Sequence, residues 1–235
     1  MVRKPSFIVA CGVLAMLLTT PVRAASIEVA PVVIDLTAEQ QTAVITLVNR
    51  TTAPTAAQLR AFAWRQSTTQ EELLPTDQLL VSPPVFNLAP GASQLVRLVL
   101  RPANEGAERT FRVVVDEIPP PVPGTRGIQL ALRLSLPVFV AAPMVTPPRL
   151  TWSLSRDGKL TVANSGKRHE RVHDLKLVAS DGSTLALQPP MTPYVLAGAE
   201  RQWTLSRTQH LGGNFRLTGQ SLAGAFEEAI RLPAR

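Results

Sequence analysis

The chain has 235 residues, 45% of them hydrophobic and only 17% charged, with one cysteine and a formal net charge of +7. A single cysteine excludes an intrachain disulfide. The basic excess is mild and scattered, with no block of Lys or Arg, and so lacks the electrostatic footprint of a nucleic-acid binder.

In chain order, the first element is a leader. Val2-Arg3-Lys4 is a short basic start, Phe7 to Leu18 is an apolar run too short to span a bilayer, and Val22-Arg23-Ala24 offers a cleavage site. Residues 1–24 therefore read as a secretory signal peptide, not a membrane anchor. The leader holds Cys11 and three of the 24 basic residues but none of the 17 acids, so the mature chain has 21 bases against 17 acids, a net +4. It has no thiol for a disulfide, a metal or a nucleophile.

Beyond the leader, apolar residues recur with a period of two, the signature of half-buried strands. Strands are expected over Ser26–Asp35, Thr42–Asn49, Ala57–Trp64, Gln78–Ser82, Val85–Leu88, Ser93–Leu100 and Thr110–Ile118. Prolines and glycines separate them. The last strand of this half is a ribbon, Gly127 to Pro143, in which Ile128, Leu130, Leu132, Leu134 and Leu136 alternate with Gln129, Ala131, Arg133 and Ser135. Ala141 to Leu150 has three prolines and no period, and reads as a linker. The β pattern then resumes at Thr151–Ser155, Lys159–Ala163, Val172–Ala179, Thr184–Leu187, Arg201–Ser206, Asn214–Thr218 and Ala225–Leu232. No segment has a helical period. The expected architecture is all-β, with two immunoglobulin-like β-sandwich domains joined at an angle, one over residues 25–143 and one over 144–235.

Catalytic chemistry finds little support. His169-Glu170-Arg171-Val172-His173 matches H-E-x-x-H. On a helix the two histidines would share a zinc ion and the glutamate would activate its water. The surrounding pattern is strand, which would set residues four apart at ~13 Å and turn Glu170 to the other face. A polar turn and strand edge is the simpler reading. No Gly-x-Ser-x-Gly and no phosphate-binding loop occurs. Trp64, Trp152 and Trp203 read as core or domain-interface residues.

The apolar ribbon remains. It ends the first domain, where such a sandwich has an edge, and the proline-rich stretch Pro119 to Gly127 precedes it. Leaving large aliphatics exposed forfeits roughly 1.5–3 kcal/mol each, and an open edge invites pairing with another chain. An edge of this kind suits β-augmentation, in which main-chain hydrogen bonds give affinity and alternate side chains enter pockets of a partner.

Several stretches are similar to the periplasmic chaperones of fimbria and pilus assembly, the PapD-like family. They are Ile27-Glu-Val-Ala-Pro31 with Asp35-Leu36, Glu108 to Pro120 (ERTFRVVVDEIPP), Leu136-Pro-Val-Phe-Val140 and Tyr194-Val-Leu-Ala-Gly-Ala199. In detail they resemble the archaic branch, which serves spore-coat-U-type pili. The resemblance implies a periplasmic, non-enzymatic protein without cofactor or metal. It would complete unfinished pilin subunits by donating the ribbon and pass them to an outer-membrane usher. It implies that Leu130, Leu132 and Leu134, with Ile128 and Leu136 at the ends, enter the pilin groove. Free protein carrying such a ribbon leaves self-association open.

The chain departs from the better-known members at the anchor for the subunit's C-terminal carboxylate. Those members carry an Arg on the first strand and a Lys on the last. Here Val29 to Ile34 and Leu136 to Val138 contain no basic residue. A carboxylate needs fork-like donors. Arg112, on the neighbouring strand and on the face opposite Phe111, Val113 and Val115, is the first candidate, and Arg133 the second. Two other readings use the same residues differently: a non-catalytic periplasmic adaptor binding another partner at this edge, and a zinc hydrolase built on residues 169–173.

Overall fold

The computed structural model describes residues 27–101, 107–118, 130–142, 146–206 and 213–232. The expected leader, the ribbon residues Gly127 to Gln129 (Ile128 among them) and the middle of the linker lie outside them.

Strand formation dominates. The first ten strands are β1 (Ile27–Ala30), β2 (Ile34–Leu36), β3 (Thr42–Asn49), β4 (Thr55–Gln66), β5 (Glu71–Pro75), β6 (Leu79–Ser82), β7 (Val85–Leu88), β8 (Ser93–Leu100), β9 (Arg109–Ile118) and β10 (Arg133–Val140). They form two sheets, one ordered β1-β3-β8-β6 and one ordered β2-β10-β9-β4-β5 with β7 also on β4. The expected alternation explains the core between them. Ile45 and Leu47 of β3, Val96 and Leu98 of β8, Leu59 of β4, and Phe111, Val113 and Val115 of β9 all point inward and are buried together.

The second ten strands are β11 (Leu150–Leu154), β12 (Lys159–Asn164), β13 (Glu170–Arg171), β14 (His173–Ala179), β15 (Thr184–Leu185), β16 (Leu187–Gln188), β17 (Tyr194–Val195), β18 (Glu200–Leu205), β19 (Asn214–Ser221) and β20 (Gly224–Arg231). Sheets β11-β12-β18-β16 and β15-β14-β19-β20, with the small pair β13-β17, enclose a separate core of Leu160, Val162, Leu177, Val195, Trp203 and Leu217. The all-β class with two sandwiches is thus what the chain adopts.

Two stretches break the period-two rule, and both lie at the junction. Residues Phe111 to Val115 of β9 and Leu136 to Val140 of β10 are buried without alternation. One face of these strands packs into the first core. From the other face, Phe139 joins Trp64, Tyr194 and Leu196 in a third apolar cluster that bridges the two sandwiches. Phe139 stacks on His169 at a ring distance of 3.5 Å, and Tyr194 meets Trp64 edge-on at 5.8 Å. Hydrogen bonds frame the cluster. The Gln66 side-chain amide donates to the Tyr194 carbonyl and accepts from the Leu196 N–H, at 3.0 Å each. Glu108 accepts from the His169 N–H at 2.6 Å and pairs with its Nδ1 at 2.8 Å.

The linker is also tied down where it is described. Asn164 Oδ1 accepts from the Arg149 N–H at 3.1 Å and the Gly166 N–H at 3.0 Å. Gly166 touches the linker so closely that a Cβ there would meet the Pro147 carbonyl oxygen at 2.3 Å. That contact is backbone on backbone and has no flexible end to yield. Gly166→Ala is expected to destabilise the protein by about 1–3 kcal/mol through overpacking, read as a lowered midpoint in thermal or urea unfolding.

Candidate functional site

The ribbon is a strand open along part of one edge. On one side β10 pairs antiparallel with β9 along its whole length, from Arg133↔Asp116 to Val140↔Arg109. On the other side β2 pairs with it in parallel over three residues only, Val138↔Ile34 to Val140↔Leu36. From Leu130 to Pro137 no described strand covers that edge. The strand proper starts at Arg133, later than its alternation suggests. Even so, Leu132 already exchanges backbone contacts with Glu117, whose N–H donates to the Leu132 carbonyl at 2.9 Å.

The leucine row is graded. Leu130 is 86% exposed, Leu132 and Leu134 are half-buried against the first core, and Leu136 is 5% exposed and belongs to that core. Leu136 is therefore occupied by its own domain, on the face of β10 that packs with Val113 and Val115. Ser135 and Arg133 face the other way. Arg133 forms an ion pair with Asp116, which Arg60 also holds at 2.7 Å. Although burial raises the Asp116 carboxyl, these two guanidiniums more than offset it and hold it below the usual carboxylate range. Arg133 thus already has an acid partner on the exposed surface.

Beside the ribbon a cleft of about 820 Å³ lies between the two sandwiches, lined among others by Glu71, Arg112, Ser135, Thr192 and Arg201. Arg112 and Arg201 are 4% and 2% exposed. Arg112 sits on the face of β9 away from the first core, and its guanidinium lies 3.7 Å from the centre of the Trp64 ring, in cation–π contact. Its Nη1 donates weakly to the Ser135 carbonyl at 3.4 Å, which ties the cation to the ribbon. Arg201 reaches the same cleft from β18 of the second sandwich. Glu71, on β5, stands between them. Its carboxylate oxygens lie 3.6 Å from Arg112 Nη2 and 3.6 Å from Arg201 Nη2.

Burial lowers the pKa of both guanidiniums, partly countered by Glu71, and both stay cationic because arginine starts so high. Arg112 Nη2, Arg201 Nε and Arg201 Nη1 are buried without a hydrogen-bond acceptor among the described residues. Unmet donors on buried cations are costly. Their arrangement at a cleft wall is that of a site for an anion with forked acceptors, such as a carboxylate.

Arg201 escaped the sequence reading. Its strand carries a usable signal, since Arg201, Trp203 and Leu205 share one phase and all three are buried. A charged residue in phase with core residues is a candidate for a buried role.

The H-E-x-x-H match does not form a helical turn. Glu170 and Arg171 make β13, and His173 opens β14. His169 is not an exposed strand-edge residue either. It is buried, held by Glu108 and stacked on Phe139. Glu170 is buried as well, and accepts from the N–H groups of Arg171 and Leu222 at 2.8 Å each. These residues fasten the junction and the second sandwich. Among the described residues, no group of three or more His, Cys, Asp or Glu is placed to hold a metal ion.

Comparison with known proteins agrees with this geometry. Chaperone protein PapD of Escherichia coli is 32% identical over 97 residues, a stretch that spans 39% of this chain and 40% of that protein. Among solved structures, the chaperone–tip subunit complex CsuC–CsuE of the archaic chaperone–usher Csu pili of Acinetobacter baumannii matches at 19% identity and a TM-score of 0.69, covering 89% of this chain and all of that one. The complex of Salmonella enterica SafA pilin with the SafB chaperone matches at 17% identity and a TM-score of 0.64, covering 88% and 97%. These two likenesses establish the shared fold. The family model for pili and flagellar-assembly chaperones, PapD N-terminal domain, matches residues 26–146, and the chain belongs to that family.

Proposed function

We propose that this protein is a periplasmic chaperone that stabilises pilin subunits by lending them β10 and then delivers them to an outer-membrane usher. The observation that carries this reading is an edge of β10 and its lead-in, residues 130–137, that no described strand covers, running beside a cleft with two buried, under-satisfied arginines. A subunit that lacks a strand pairs its own backbone with that edge. Leu130, Leu132 and Leu134 enter its groove, while Leu136 stays in the chaperone core. Ile128 extends the row by resemblance.

The anchor gives the guest a direction. Arg112 is in register with Pro137, at the covered end of the free edge. A guest whose C-terminal carboxylate sits on Arg112 and Arg201 must then run along β10 in the same direction. That parallel pairing continues the ladder β2 already makes on the same edge. Arg112 and Arg201 are the carboxylate anchor in this reading, and Arg133, engaged by Asp116, is not. No step calls for a cofactor. Cleavage after residue 24, domains over 25–143 and 144–235, and a periplasmic location complete the proposal, in keeping with a family that works in the periplasm.

Expression with candidate pilin subunits should yield a one-to-one complex from the periplasm. Leu130→Glu is the cleanest probe of the ribbon, because the side chain is so exposed in the free protein. It should leave the melting temperature unchanged and cut recovery of the complex; undiminished recovery would remove the ribbon from the binding site.

Arg112→Met and Arg201→Met test the anchor while keeping side-chain length. Each should weaken capture by at least about tenfold, as expected for loss of one partner of a buried charge pair. Arg133→Met should change it little. Equal capture by all three variants would count against a carboxylate seat in the cleft.

A further inference from the structure

Glu71 is an acid inside a site argued to receive an acid, and its bonds explain how it stays there. It is moored mainly by neutral donors. Thr192 Oγ1 donates to Glu71 Oε1, and so does Gln66 Nε2 at 3.2 Å. Gln66 is itself clamped to the second sandwich through Tyr194 and Leu196. The carboxylate therefore cannot swing out without breaking contacts that join the two sandwiches.

Its distance to each guanidinium, 3.6 Å, is longer than the 2.7–2.9 Å typical of a charge-assisted hydrogen bond. Glu71 compensates the cations through space but leaves Arg112 Nη2, Arg201 Nε and Arg201 Nη1 without a hydrogen-bond acceptor among the described residues. Two guanidiniums against one carboxylate leave the cleft with a single uncompensated positive charge. In a partly desolvated cleft such a charge weighs more than at an open surface.

We infer that Glu71 is a built-in counter-ion that sets the arginine pair to accept one negative charge. A guest terminus whose last residue is neutral is then preferred over one ending in Asp or Glu. This deepens the carboxylate-anchor reading and rests on it. A terminal Asp brings a second carboxylate into the cleft, where only one positive charge is left to meet it and Glu71 repels it.

The test uses the full mature chain and three synthetic peptides of alternating aliphatic and polar residues. One ends in a neutral residue with a free carboxylate, one is its C-terminal amide, and one ends in Asp with a free carboxylate. Binding is read by titration calorimetry. The wild-type protein should bind the neutral-ended acid at least about tenfold tighter than the amide. It should also prefer that acid over the Asp-ended peptide. Glu71→Gln, which keeps the shape of the side chain, should tighten binding of both acids and reverse the second preference.

An unchanged preference in Glu71→Gln, with the acid still favoured over the amide, overturns the role of Glu71 and leaves the anchor standing. Equal binding of acid and amide by the wild-type protein overturns the anchor and this inference together. If Glu71→Gln alone folds poorly, the double variant Glu71→Gln with Arg201→Met carries the test. It returns the cleft to one net positive charge and should recover the wild-type preference for the neutral terminus; failure to recover it overturns the inference.

Discussion

A β-strand has two hydrogen-bonding edges, and β10 is given a full partner on only one. The cause lies early in the chain. β1 pairs with β3 in one sheet, and within a few residues β2 crosses to the other sheet and lies against β10. A strand that changes sheets divides its length between them, and three residues is what remains for β10. β2 then ends in a turn closed by the Thr37 N–H to the Gln40 carbonyl and by the Thr37 hydroxyl. Along residues 133–137 no described strand pairs with the outer backbone groups, and only the Ser135 carbonyl is met, weakly, by Arg112. Pro137, which brings no N–H, stands where the covered and uncovered parts meet, a position proline tolerates well at a sheet edge.

An open edge is useful only if its neighbourhood is held still, and the junction supplies that. Because β9 and β10 are covered on both faces, the strand that is lent out is anchored at one end by the best-packed part of the molecule. Phe139 and Arg112 project from neighbouring strands on the same side of the sheet, one into the aromatic cluster and the other over Trp64. The Glu108–His169 and Gln66–Tyr194 contacts fix the second sandwich against that face. Arg201 depends on them, since it comes from the second sandwich and meets Arg112 only if the two sandwiches keep their angle. Buried charges are a poor source of stability. A pair with unmet donors fits the proposed carboxylate seat better than a stabilising role.

Strands with one buried face were legible from alternation alone: β3, β8 and β9 have the bounds, or nearly the bounds, that their patterns suggest. Elements that depend on long-range pairing were not. β5 reads Glu-Glu-Leu-Leu-Pro, mostly exposed, and is a strand only because β4 lies beside it. It carries Glu71, so missing the strand meant missing the acid at the centre of the cleft. The phase of Arg112 on β9, opposite the core residues, is legible in the sequence. Arg201 is not, because a basic residue after Glu200 looks like solvated surface until its phase with Trp203 is weighed. His169 and Glu170 read as a polar edge in the sequence, yet both are buried, and the partners that bury them, Glu108, Phe139 and Leu222, are too distant in sequence to be foreseen. The two sandwiches also share a device without a detectable repeat. Asn49 ends β3 and Asn164 ends β12, and each is buried with its amide donating to backbone carbonyls, of Leu88 and Val195 respectively, and its oxygen accepting from a backbone N–H two residues on.

The grading of the leucine row ties the fold to the proposed exchange. A fully buried row would have nothing to offer, and a fully exposed one would aggregate or pair indiscriminately. Leu136 is committed to its own core, Leu134 and Leu132 are half-buried against it, and Leu130 is exposed. The chaperone core therefore survives whether the guest is present or absent, because the residues most committed to it are the least available. The exposed end supplies apolar contact of low selectivity. In the proposed exchange the cleft end, with its fixed charges and Glu71, is the part that discriminates among guests. On the proposed reading, capture strength and guest choice fall to opposite ends of one strand, held in a single register by its antiparallel pairing with β9.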